Sequence, residues 1–405
     1  MKSILNSITT HCVHRMSFVF TMVASAFLLS SVCPAQVPER YIETYIMPLE
    51  DWTRIPAATR DDHGKLRQKC VEALDSGKIE RIDRVGGSVP KGNFHFGPTG
   101  LFRYPATFVI EGNEIVGGEI LSRDIGSKFA GGAKQLGESS SLNIIYARIP
   151  PHVATASMLG KGSKDDVKRT EVPIFEPIRL TTNVPSEFHG THLIGVVPLP
   201  AIGIKPSKLA LIFHSGGPEE QAITSSGGMV EMLLLRGTSG ADLDNVSERI
   251  KALLGQRGSI EAAIALRSIP GSKGYLTGET EWVYPTSAVM KGEILVPQEL
   301  EPLGQGTVFE MKCIAMDAKS MEIEFALSHD LAKPEIPVAT GKGKILLTPD
   351  NVTLYRIFHS QKLTLISGAW TSVAEIPLAP ILGAVEKSAK SQSCYLFARA
   401  ISNAR

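Results

Sequence analysis

The side chains with most chemical capacity in this sequence are His189 and His192 of FHGTHLI, with His214 further along. Imidazole is the commonest metal ligand, so the pattern raises a metal site. Histidines four residues apart on a helix share a face. Three residues apart in a strand–turn context they do not, and no acidic residue stands close in sequence. A structural or surface role is expected for these three, and for the isolated His95 and His329. Gly160-Lys161-Gly162 and GKGK at 341–344 invite a phosphate-loop reading. They lack the strand before, the helix after and the Ser or Thr following a terminal Lys, so loop tips are expected. Ser215 lies beside His214, but neighbours in sequence do not make a triad and no G-x-S-x-G occurs. The acidic pairs Asp61-Asp62, Asp165-Asp166 and Glu219-Glu220 fall in loops or helix starts, with nothing nearby to raise a carboxylate pKa. Glu322 and Glu324 read as the wet face of a strand. The expectation is a protein that is not an enzyme, with no catalytic, cofactor-binding or metal-ligating residues and no cofactor.

Composition bounds the remaining classes. Lys and Arg number 42 against 41 Asp and Glu over 405 residues, which argues against nucleic-acid binding by phosphate neutralisation. With 43% hydrophobic and 20% charged residues the chain is not a disordered polyelectrolyte. The first residues carry Lys2 and Arg15, no acid, and the uncharged run SFVFTMVASAFLLSSV at 17–32. That run is shorter than the ~20 residues a spanning helix needs. Ending at CPAQ, it fits a secretory signal, residues 1–35, cut before Gln36, the alternative being an uncleaved amphipathic anchor. Cys70, Cys313 and Cys394 then remain. One pair is open to them in an oxidising compartment, but three scattered thiols fit better as buried apolar groups.

The elements that must position these residues come in duplicate. RYPAT at 103–107 is matched by VYPTS at 283–287, and LNIIYAR at 142–148 by MEIEFAL at 321–327. VPLPAIG at 197–203 is matched by IPLAPILG at 376–383, LALIFH at 209–214 by YLFARA at 395–400, and KIERI at 78–82 by SIEAA at 259–263. Five pairs in order, at offsets of about 180, predict two copies of one unit. The first spans 40–215, a linker 216–228, and the second 229–405. Each copy opens on an apolar strand, IETYIMPL at 42–49 or VEMLLLRG at 230–237. A helix follows, carried by Leu66, Cys70 and Leu74 in the first copy. In the second it is carried by Leu243, Val246, Ile250, Leu253 and Leu254, with Asp244 as N-cap and Gly255 and Gly258 as the stop. The period then changes to two: Met321, Ile323, Phe325 and Leu327 alternate with Glu322, Glu324 and Ala326. Gly86-Gly87, Gly117-Gly118, Gly131-Gly132, Gly341 and Gly343 read as joints between strands. The fold class expected is α+β, mostly antiparallel β, with one helix beside a sheet in each copy.

The second copy resembles the β-domain of secretins, the outer-membrane channels of bacterial type II secretion and type IV pilus systems. The likeness rests on order over 230–405. VEMLLLRG and the helix come first, then SIEAAIALRSIPGSKGYLTGETEWVYPT at 259–286 and GTVFEMKCIAMDAKSMEIEFAL at 306–327. LTLISGAW at 363–370, EIPLAPILG at 375–383 and SCYLFARAI at 393–401 complete it. The first copy repeats the order more faintly. No preceding ring-building modules are evident, the LTLISGAW strand lacks its Gly-Gly end, and no long hairpin with lipid-facing alternation stands out. The resemblance implies an exported envelope protein, in the periplasm or outer membrane of a Gram-negative-type bacterium. Its partners would be further copies meeting through sheet edges, or secretion and pilus proteins, with contact to the outer membrane and none to nucleic acid. The alternative is a soluble periplasmic binding or accessory protein that kept the fold without a pore.

Overall fold

The computed structural model describes residues 39–88, 93–97, 99–105, 107–111, 114–136, 139–158, 168–185, 190–200, 208–216, 227–238, 245–256, 260–291, 294–331, 355–382 and 392–402. The expected signal segment 1–35 lies outside them. In the first half, β1 (Glu39–Pro48) leads into three helices, α1 (Leu49–Arg54), α2 (Ala57–Asp61) and α3 (His63–Asp75). Then come β2 (Glu80–Ser88), β3 (Phe94–Phe96), β4 (Thr99–Pro105), β5 (Phe108–Glu111), β6 (Glu114–Gly117), β7 (Ile120–Leu136) and β8 (Ser139–Ile149). The half closes with β9 (Pro151–Met158), β10 (Lys168–Phe175), β11 (Ile178–Pro185), β12 (Gly190–Leu199) and β13 (Lys208–Gly216). The second half holds β14 (Gly228–Thr238), α4 (Val246–Leu254), β15 (Ile260–Ser268), β16 (Lys273–Lys291) and β17 (Ile294–Met316). It ends with β18 (Ser320–Asp330), β19 (Arg356–Ile366), β20 (Thr371–Pro377), α5 (Ala379–Leu382) and β21 (Gln392–Ser402).

The strands form two large antiparallel sheets. One has eight strands in the order β2-β1-β13-β12-β15-β14-β21-β20. The other runs β19-β18-β17-β16-β11-β8-β7-β3, with β4 beside β7 and the β9–β10 hairpin joined to β16. In both, four strands of one half are followed by four of the other, and the internal order repeats. The halves therefore share both sheets instead of standing as separate bodies.

Layering explains the two hydrophobic patterns. One core lies between the sheets and contains Ile42, Ile144, Leu180, Val230, Met232, Leu234 and Ile323; a second lies between the eight-stranded sheet and the helices and contains Tyr45, Trp52, Leu66, Leu233, Leu235 and Leu253. The eight-stranded sheet is thus covered on both faces, which requires continuous apolar runs such as VEMLLL instead of alternation. The larger sheet is covered on one face. Met321, Ile323, Phe325 and Leu327 are buried, Glu322 is half-buried and Glu324 exposed, the alternation read from the sequence.

Several expectations are corrected. The first half carries three helices instead of one, because α1 and α2 are too short to show a period. The N-cap of α4 is Asn245, whose side chain accepts from the amides of Ser247 and Glu248 at 2.9 and 3.3 Å; Asp244 lies outside the described residues. Gly216 and Gly228, assigned to the linker, end β13 and begin β14. Gly86-Gly87 and Gly131-Gly132 sit inside strands. A Cβ on Gly131 would come within 2.8 Å of the Phe94 ring, so close approach, not a joint, selects glycine there. A long hairpin does exist: β16 and β17 pair from Lys273↔Lys312 out to Lys291↔Ile294. Its register shifts between Pro285 and Ala288, which is why strict alternation fails to reveal it.

Candidate functional site

Among the described residues, strand pairs, buried charges and buried histidines gather at the joint between the halves. In the larger sheet β11 pairs β16 through Ile178↔Gly278, Arg179↔Thr277, Leu180↔Leu276 and Thr181↔Tyr275. In the eight-stranded sheet β12 meets β15 only at Gly195↔Leu266 and Val196↔Ala265. Gly195 makes this possible. A Cβ there would lie 2.3 Å from a Leu180 methyl and 3.2 Å from a Leu276 methyl, so the two sheets can close only over a missing side chain.

Beyond those pairs, polar side chains take over. Arg267 of β15 is fully buried; its Nε donates to the Leu193 carbonyl of β12 at 3.1 Å and its Nη2 reaches the His63 ring of α3 at 3.4 Å. Burial lowers its pKa to about 10. His63 stands edge-on to His192, ring centres 6.0 Å apart, and His192 is the cross-strand neighbour of His214. His63 is pushed well below the usual imidazole value by burial, then by Arg267 and His192; His214 likewise by burial, Arg40 and His192. Arg40 Nη1 donates to His214 Nε2 at 3.4 Å.

An arm made of α1 and α2 crosses the joint on the helical face. Arg60 of the arm ion-pairs with Glu231 of β14, which also accepts from Arg399 Nε at 2.6 Å; Asp61 of the arm accepts from Arg399 Nη2 at 2.8 Å. Arg60 stacks over Trp52 of the arm, and Arg399 over Trp370, each 5.2 Å from the ring centre. Burial lowers the Arg60 pKa, against the pull of Glu231. Charges this deeply buried are tolerable only as a paired network. Outside the arm, Arg123 of β7 ion-pairs with Glu281 of β16, tying the strands of the first half's hairpin to the second half's.

The candidates read from the sequence fare as follows. His192 and His214 are brought together, while His189, Gly160-Lys161-Gly162, GKGK at 341–344, Asp165-Asp166 and Glu219-Glu220 lie outside the described residues. His95 is exposed; His329 is buried, 2.8 Å from the Thr307 hydroxyl, and burial lowers its pKa to about 4. Asp62 caps α3 by accepting from the Lys65 amide at 3.1 Å. Ser215 exchanges a 2.9 Å hydrogen bond with Thr191, not with His214, because adjacent strand residues point to opposite faces. Among the described residues no group of three or more His, Cys, Asp or Glu is placed to hold a metal ion. Cys70, Cys313 and Cys394 are buried thiols without disulfides, and burial raises all three, Cys70 and Cys313 to about 12. The Arg60–Glu231 bridge has no sequence signal, its partners being 171 positions apart.

Comparison with protein-family models, curated proteins and solved structures finds no match for this chain. Among the described residues no helix is long and apolar enough to cross a membrane, which says nothing of strands.

Proposed function

We propose that this chain is an exported structural component of a bacterial cell envelope, built as two tandem secretin-like domains, 40–215 and 229–405, that work through strand edges and not through reactive side chains. The observation that carries the reading is the repeated strand order: β2-β1-β13-β12 is followed by β15-β14-β21-β20, and the two runs are zipped edge to edge. Three of the five motif pairs that suggested a duplication begin in matching places of that order, on β2 and β15, β12 and β20, and β13 and β21, and LNIIYAR and MEIEFAL fall on β8 and β18 of the larger sheet. Edge pairing satisfies backbone N–H and C=O groups that would otherwise be left unpaired. Joining two such units in one chain raises the effective concentration of the second. The long β16–β17 hairpin adds a reason to place the protein at an outer-membrane assembly, since crossing lipid takes strands of only ~9–11 residues.

One observation favours the accessory reading, a soluble periplasmic protein with the fold but no pore. The strand that corresponds to β16 is broken into β3 and β4 in the first half, and Gln361 and Lys362, exposed on β19, stand where β11 has Leu180 and Thr181. Broken and polar edges resist further pairing. Fractionation of cells carrying the tagged full chain separates the readings. Heat-resistant multimers in the outer membrane support the assembly; release by osmotic shock supports the accessory protein; retention in the cytosol overturns both.

A further inference from the structure

The arm's docking place in the second half has a counterpart in the first, and there it is an open pocket. Matched irregularities set the correspondence. The β1–β2 ladder shifts between Thr44 and Tyr45, the β14–β15 ladder between Leu234 and Leu235. The β12–β13 ladder shifts between Leu193 and Gly195, the β20–β21 ladder between Ser372 and Ala374. Counted from these bulges, Tyr41 corresponds to Glu231, its cross-strand partner Ser215 to Arg399, and Thr191 to Trp370. Glu231 and Arg399 receive the arm, with Trp370 stacked on Arg399. Tyr41, Ser215 and Thr191 line a pocket of about 300 Å³ on the same face, together with Glu43, Arg67 and Arg84.

The chemistry of the pocket differs from that of its counterpart. Glu231 and Arg399 offer one charge of each sign. The first-half pocket sets two guanidinium groups and three hydroxyls against one carboxylate. Arg67 grips Glu43 with a fork at 2.6 and 3.0 Å, and Arg84, 53% exposed, ion-pairs with the same carboxylate at 3.4 Å and lies 5.0 Å from the Tyr41 ring centre, so two cations share one anion. Its occupant should be acidic. The chain segment that corresponds to the arm in the second half is 239–245, between β14 and α4, and its sequence is SGADLDN, with Asp242 and Asp244. The strands that flank the inner joint, β12 and β15, correspond to β20 and β2, the two end strands of the eight-stranded sheet.

We propose that this pocket binds the acidic 239–245 segment of a second copy of the chain, with β20 of one copy laid beside β2 of the next. The inference rests on the preceding reading only in taking strand edges as the working parts. The segment is half the length of the arm, so this outer contact is weaker than the inner joint and reversible.

Sedimentation velocity of the purified chain tests it. The average mass should rise with concentration and fall with added salt, as charge pairing requires. Arg84→Glu, at a half-exposed position, should weaken association roughly tenfold or more, and so should Asp244→Lys in the segment itself. Combining Arg84→Glu with Asp244→Lys in one chain should restore association by swapping the charges. A chain that stays monomeric at every concentration overturns the proposal, as does association indifferent to these changes. Monomers that nonetheless fractionate with the envelope would sink this inference and leave the preceding reading standing.

Discussion

His63, His214 and His329 are held neutral by burial, and that makes acid their enemy. Each has a folded pKa below the ordinary imidazole value, His329 at about 4. The unfolded chain therefore binds more protons than the folded one as pH falls below about 6.5. The stability these groups contribute is fully present above that value and is lost toward their folded pKa. For His329 alone, at ~1.4 kcal/mol per unit, the loss by pH 4 is about 3 kcal/mol. Urea midpoints should be level above pH 7 and drop steadily from pH 6 to 4. His329→Gln, which can keep the bond to Thr307, should flatten part of that drop; a midpoint independent of pH in this range would contradict the account. The sequence shows His329 as an isolated letter and sets His214 only near the His189 and His192 pair. The burial of His214 and His329 follows from strand register, and that of His63 from the docking of α3 on the sheet, neither of which a local pattern encodes.

At the scale of elements, legibility tracked how local the cause was. The helix of Leu66 and Cys70 was readable because its own spacing makes the apolar stripe, and both residues are buried in α3. The alternation of β18 was readable because one face of its sheet meets water. The arm was not: α1 and α2 have no periodic face, and Trp52 is buried only because the arm lies over the core beneath it. The inner joint depends likewise on a feature without local meaning, the bare backbone of Gly195. Gly195→Val should drive Leu180 and Leu276 apart and cost ~1–3 kcal/mol, the usual range for overpacking. The measurement is a urea titration, in which the midpoint falls and the slope stays unchanged. A variant as stable as the parent would show that the sheets do not close over this residue.

The whole molecule should behave as one cooperative unit, although its sequence reads as two. Both sheets and both cores run across the joint, and a buried ion network spans it. A protease site placed within 217–226 should therefore give halves that co-elute after cleavage and separate only in denaturant. Unfolding followed by circular dichroism and by tryptophan fluorescence should give coincident transitions. Halves that part on cleavage would mean that the joint is weak. By itself the sequence determined the strand-rich class, the two hydrophobic patterns and the doubled order of motifs, because side-chain period and turn chemistry act over a few residues. Only the tertiary structure decided that the two runs of strands merge into shared sheets, that an arm of the first half pairs charges with the second, and that His192 faces His214. Those outcomes depend on which edges meet and in what register, and such choices are made between residues that lie tens to hundreds of positions apart.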